Sequence, residues 1–344
     1  MIPRRILAPL VVATAAVLGV IVPASMASAA VATSAGVTTL PPQPFAGNPA
    51  TADWIGDYLV DGVPSWMTEF GFTAPDEAEP MQPGGALVTK WGTAIDPETL
   101  SEMSYLLFVH GSTPTSVQAA ALAHIVHTWT AAPQNPGQLD PANDFRHIAY
   151  DTAFHLAKLP SGAQDDVTSL LAEAAMLHGP WSITLTAPAA ARIGAASNWT
   201  VRVLAGVNGV PSRTVSLTVT NGTFAGGATT TTVTTGADGS AAPVAVTPTG
   251  AAPAIIATAS GPAAAPLVMD PVDADVSRVI QAASAPISAS LTGAVATTTI
   301  APELARTGTA VPIVVPALGG ALVLLGVLLA IVSAGRARRG RTSR

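Results

Sequence analysis

HGPWSITLTA, residues 178–187, is where this chain changes character. His178-Gly179-Pro180 reads as a helix stop, because glycine accepts the left-handed conformation after a helix and proline cannot continue one. From Ser182 to Ala187 apolar and polar residues alternate, which is the period of a half-buried strand. The fold therefore divides here, with helical segments upstream and short strands downstream.

Upstream, residues 51–181 hold five of the six Trp, all three Tyr and 16 of the 21 Asp and Glu, the composition of a globular head. Asp96-Pro97 reads as a cap and first residue of a helix carrying Leu100, Met103 and Leu107 on one face. A second helix is expected from Thr113-Pro114, with Val117, Leu122, Ile125, Val126 and Trp129. A third spans about Asn143 to Lys158. A fourth follows Ser161, with Val167, Leu170, Leu171 and Ala174 as its buried stripe. Before Trp91 the pattern favours short strands and loops, and residues 30–50 read as an extended leader.

Downstream, Trp199-Val201-Val203 and Val215-Leu217-Val219 alternate in the same way, with turns at Asn208-Gly209, Asn221-Gly222 and Asp238-Gly239. This spacing predicts an all-β sandwich over 182–261. Residues 262–303 are rich in Ala, Pro, Ser and Thr and read as a flexible stalk or linker, with a short helix conceivable over Val276–Ala283. The expected fold class is thus multidomain: an α+β N-terminal head, an all-β sandwich, a flexible stalk and a single C-terminal transmembrane helix.

The two ends carry address information. Residues 1–29 have Arg4 and Arg5, an uncharged run and the small residues Ala27-Ser28-Ala29, the order of a secretory signal with its peptidase site at Ala27 and Ala29. Residues 311–334 are uncharged, long enough to cross a hydrocarbon core of about 30 Å. Five arginines in the tail, residues 335–344, place that end in the cytoplasm. There is no cysteine, which excludes disulfides, thiolate nucleophiles and Cys-based zinc sites. Between residues 30 and 307 only eight Lys and Arg face all 21 acids. Such a balance argues against nucleic acid as a partner.

Leu304-Ala305-Arg306-Thr307-Gly308 stands directly before the apolar run and the arginines. Motif, span and basic tail in this order resemble the cell-wall sorting signal of Gram-positive surface proteins, in the LAxTG form used by actinobacterial sortases of class E type. The resemblance implies that a sortase attacks the Thr307 carbonyl, that Gly308 leaves with the span, and that a peptidoglycan amine receives the protein. The membrane would then hold the precursor only until it is cut. A plain type I membrane anchor is the alternative.

Ser65-Trp66-Met67-Thr68-Glu69-Phe70-Gly71, with Tyr105-Leu106-Leu107 and the helix around Gln118, is similar to thioester-type domains of Gram-positive adhesins. That family joins a Cys to a Gln in a thioester. Here Met67 stands at the Cys position, so the resemblance implies the domain without its covalent chemistry. Asn208 to Phe224 and Asp238-Gly-Ser240 resemble bacterial Ig-like spacer domains. No nucleophile constellation and no phosphate loop appears. His147, Asp151 and His155, at i, i+4 and i+8 of the expected third helix, are the best metal candidate, but the stripe is spread too far along the axis to grip one ion easily. His124 and His127 read as helix-surface or boundary residues. The expectation is therefore a non-enzymatic surface protein, adhesive, structural or ligand-binding, without a cofactor or metal and with an unknown surface ligand. A wall-associated hydrolase or metal-dependent enzyme is the alternative for the head.

Overall fold

The first three strands form a meander whose turn is dictated by backbone conformation. β1 (Val31–Thr39) pairs antiparallel with β2 (Asp53–Val60), and β2 with β3 (Val63–Met67). Asp61 and Gly62 link β2 to β3 with φ of 51° and 76°, two successive left-handed residues. Asp-Gly supplies that two-residue turn at low cost. A short strand β4 (Met81–Pro83) follows. The computed structural model describes residues 31–75 and 79–296, which form one compact unit.

Four helices follow, of which α2 lies on this sheet. α1 (Pro97–His110) starts where Asp96 accepts a hydrogen bond from the Thr99 amide at 2.9 Å. α2 (Ser116–Thr130) is capped by Thr115 and is buried without a break from Ala119 to His127. That burial follows from its place between β1, β2 and α4, where a row of alanines allows close approach. α3 (Thr152–Leu156) is a single short helix capped by Asp151, and α4 (Ser161–Leu177) packs on both α1 and α2.

Beyond α4 come β5 (Trp181–Thr186), β6 (Ser197–Ala205), the two-residue β7 (Asn208–Gly209), β8 (Thr214–Thr220) and the two-residue β9 (Gly222–Thr223). β10 (Thr230–Thr234), β11 (Val244–Pro248) and β12 (Ala254–Pro262) complete this run. The last strands are β13 (Leu267–Pro271), β14 (Val279–Gln281) and β15 (Ser284–Thr292). One sheet has the order β10-β8-β12-β15, and a second β5-β6-β11-β9 with β7 on β6. Trp199, Val201, Val203, Leu217, Val246 and Ile255 are almost wholly buried in this part of the core.

The head sheet has the order β1-β2-β3-β14-β13-β4. After leaving for the sandwich, the chain returns and inserts β14 directly beside β3, pairing Val279 with Met67 and Gln281 with Ser65. β15 then goes back to the sandwich along the whole of β12. Trp181 joins the two halves. Its indole donates to the Leu177 carbonyl at 2.7 Å and meets Tyr105 and Phe108 edge to face, with the Arg213 guanidinium over it.

These facts overturn the expected fold class. The described chain is mostly β-sheet with few helices, and it is one unit rather than an α+β head followed by an independent all-β sandwich and a flexible stalk. Residues 262–292, the supposed stalk, supply three strands, and Val279–Gln281 is strand rather than helix. Asn143 to Lys158 is not one helix, since only Thr152–Leu156 is α-helical there. No helix among the described residues is long and apolar enough to cross a membrane. The expected transmembrane run 311–334 lies outside the described residues, as do the signal with Ala27 and Ala29, the motif Leu304–Gly308 and the tail.

The returning strand makes a direct prediction. Ile280 is fully buried in the core, so Ile280→Ala should cost about 2–5 kcal/mol and lower the thermal midpoint. Ile256→Ala, at a residue 46% exposed on β12, should change it little. Equal, small effects in both variants would contradict the inserted strand.

Candidate functional site

A cluster of ring side chains lies under α2 at the end of the head sheet. His124 and His127 project from one face of α2, three residues apart. Both are buried rather than at the surface, because the helix is packed on two sides. His127 stacks on Tyr150 with centroids 5.0 Å apart, and Tyr150 stacks on His155 at 4.2 Å with nearly parallel planes. Phe70 meets Tyr150 and His155 edge to face. Tyr150 Oη lies 2.8 Å from His124 Nδ1.

Gln43 sets the protonation of this cluster. Its Nε2 donates to the Ala149 carbonyl at 2.7 Å, and its Oε1 accepts from the Asp151 amide at 2.9 Å. The amide orientation is thereby fixed. His155 Nε2, 3.0 Å from the same Oε1, must then carry the hydrogen. Its Nδ1 is left as a lone pair, buried without a hydrogen-bond partner and 3.8 Å from Asp53 Oδ2. Burial pulls the histidines down, to about 4 for His124 and about 3 for His127 and His155. The cluster is neutral at pH 7. Asp53 is raised by burial, an effect that the Gln43 amide and the charge of Lys158 partly oppose.

Beside the cluster is a cavity of about 320 Å³. Phe45, Trp54, Tyr58, Phe70, Phe72 and Met67 form its apolar walls, and Asp53 and His127 line it too. The loop carrying Phe70 and Phe72 turns at Gly71, whose φ of 86° and closeness to the Phe145 carbonyl both exclude a side chain. Lys90 holds that loop. Its ammonium donates to the carbonyls of Phe70, Phe145 and Ile148 at 2.5, 2.6 and 2.6 Å. Burial draws its pKa down to about 7, against the pull of Glu69 and Asp144. Three acceptors need three N–H donors, so the geometry is that of the charged ammonium.

The structure separates several residues that the sequence grouped. His147 is exposed and 2.6 Å from Asp144, Asp151 caps α3, and His155 is wholly buried, so the three share no face. Met67 lines the cavity, whereas Gln118 sits in the first turn of α2 with its Nε2 3.3 Å from His110 Nδ1 and is not part of that wall. Among the described residues, ligand atoms of Glu98, Glu102 and His178 lie within 4.8 Å of one another. Glu98 is exposed, and burial raises the Glu102 carboxyl, an effect that nearby His178 partly opposes. The cavity itself was not foreseen. Its walls come from residues 45–58, 67–74 and 127, and the one signal was the density of aromatics in the first half of the head.

Two outcomes follow. Lys90→Met keeps an unbranched side chain, one atom shorter, but strands three carbonyls, and should destabilise the protein by roughly 2–4 kcal/mol in denaturant unfolding. Unfolded histidines take up protons from about pH 6.5 downward, while the folded ones hold out to about 4 or 3. The unfolded state then binds more protons across that window, so the melting temperature should fall as pH drops from about 6.5 toward 4. Asp53 and Asp57, both raised by burial, act in the opposite sense at the acid end. His127→Phe should flatten the profile, and a wild-type profile already flat would contradict the neutral cluster.

No protein-family model matches this sequence, and no curated protein matches it.

Proposed function

We propose that this is a secreted cell-surface protein, fastened covalently to peptidoglycan by a sortase through Thr307, whose body has a non-enzymatic binding role. The observation that carries the reading is the order of four features in one chain: a signal-like start, the body, Leu304-Ala305-Arg306-Thr307-Gly308, and an apolar run ended by five arginines. Sortase chemistry is acyl transfer, so it needs a peptide that can enter another enzyme's cleft. Gly308 lets that enzyme approach the backbone closely. The body is compatible with such a cut. Among the described residues the last strand, β15, ends at Thr292, before the motif begins, so cleavage after Thr307 leaves the described strands of all three sheets in the body.

The binding role rests on the aromatic cavity beside Asp53, a recess with apolar walls and a convergent polar group. Nothing in the cluster needs to turn over a substrate for that role. Thr307→Ala should move the protein from the cell-wall fraction to the membrane fraction. If the unaltered protein and the variant both fractionate with the membrane, the sorting reading is wrong.

A further inference from the structure

We propose that the cavity walled by Phe45, Trp54, Tyr58, Phe70 and Phe72 binds a small quaternary ammonium group, with Asp53 as its counter-ion. This deepens the reading of the head as a binding module and does not depend on how the protein is anchored.

Charge is the first argument. Of the titratable side chains that line the cavity among the described residues, Tyr58 and His127 are neutral at pH 7, which leaves the Asp53 carboxylate as their one charge. The Asp53 side chain is only 10% exposed, and its Oδ2 already accepts from the Gln43 amide at 2.7 Å. Among the described residues no Lys or Arg lies within ion-pair distance of it. Lys158, the nearest cation acting on it, gives its ammonium to the Pro41 carbonyl instead. A carboxylate held away from water without a counter-charge gains most from a cation. It repels phosphate and carboxylate ligands.

The walls are the second argument. Aromatic faces attract cations through their quadrupoles, and a cage of several such rings around one carboxylate suits a bulky, weakly hydrated ammonium. The positive charge of Lys90 is close by, 5.3 Å from the Phe72 centroid, but it is bound to three carbonyls and faces Glu69 and Asp144 as well. Few polar groups remain for a sugar, since Asn48 spends its amide on the Gln43 carbonyl and the Ala50 amide. Trp54 Nε1 and His127 Nδ1, on residues of the same wall, lack hydrogen-bond partners but are closed off from solvent, so a short tail on the ligand meets mainly apolar surface. The volume, about 320 Å³, is at the small end of ligand sites and admits one such head group with that tail.

The test titrates the full-length chain with choline chloride and with 3,3-dimethylbutan-1-ol, its uncharged isostere, by isothermal calorimetry. Choline should saturate a single site, and the alcohol should bind at least about tenfold more weakly. Asp53→Asn retains an acceptor for the Gln43 amide, so it should keep its melting temperature while losing the preference for choline. Trp54→Leu should weaken choline binding and leave the ordering of the two probes intact. Equal binding of both probes, no binding of choline, or binding of N-acetylglucosamine in its place would each overturn the proposal. Wall fractionation of the Thr307 variant reads the anchoring separately, so either reading can fail alone.

Discussion

The structure depends on the antiparallel pairing of β14 with β3. Three residues, Val279 to Gln281, join the meander β1-β2-β3 to β13 and through it to β4. Around them the contacts are polar and specific. Gln281 Nε2 donates to Ser65 Oγ at 3.0 Å, and the Thr68 amide donates to the Arg278 carbonyl at 3.0 Å. Arg278 also pairs with Glu69 at 3.1 Å in a largely buried position. Without this strand, β3 would be an unpaired edge and Met67, a wall of the cavity, would lose its neighbour Val279. The head and the sandwich are therefore interleaved: the chain leaves the head at Trp181, returns after β12 as β13 and β14, and goes out again as β15.

That arrangement explains why the recess can be both polar and stable. A neutral stack of His127, Tyr150 and His155 needs no counter-charge, and its hydrogen bonds to Gln43 and between His124 and Tyr150 use donors that burial would otherwise leave idle. The loop bearing Phe70 and Phe72 is fastened from the other side by Lys90. Two rings of the cavity are thus set by one ammonium and three carbonyls, rather than by packing alone. Asp53 sits where the stack ends and the cavity begins, shared between both.

Local signals in the sequence were legible where one residue type settles a conformation. Asp96-Pro97 opens α1 with the side-chain cap expected of it, and the alternation around Trp199 and Leu217 corresponds to β6 and β8. What could not be read is pairing at a distance. β13 and β14 are short and set in a stretch rich in Ala, Pro and Ser, and their pairing with β4 and β3 far upstream makes strands of them, so 262–292 looked like a stalk. The helix assumed over 143–158 failed because Asp151 caps a new helix instead of continuing an old one. His124 and His127 looked like surface residues because a helix buried on two faces has no polar face to reveal it. The cavity shows a related limit, as its walls come from two segments, 45–58 and 67–74, completed by His127 of α2.

Hydrogen–deuterium exchange over residues 267–281 tests the inserted strands most directly. Backbone amides there should exchange as slowly as those of β2 and β3 and lose protection together with them as denaturant is added. Exchange of that segment at the rate of an open chain, with β2 and β3 still protected, would contradict the account and return the segment to a stalk.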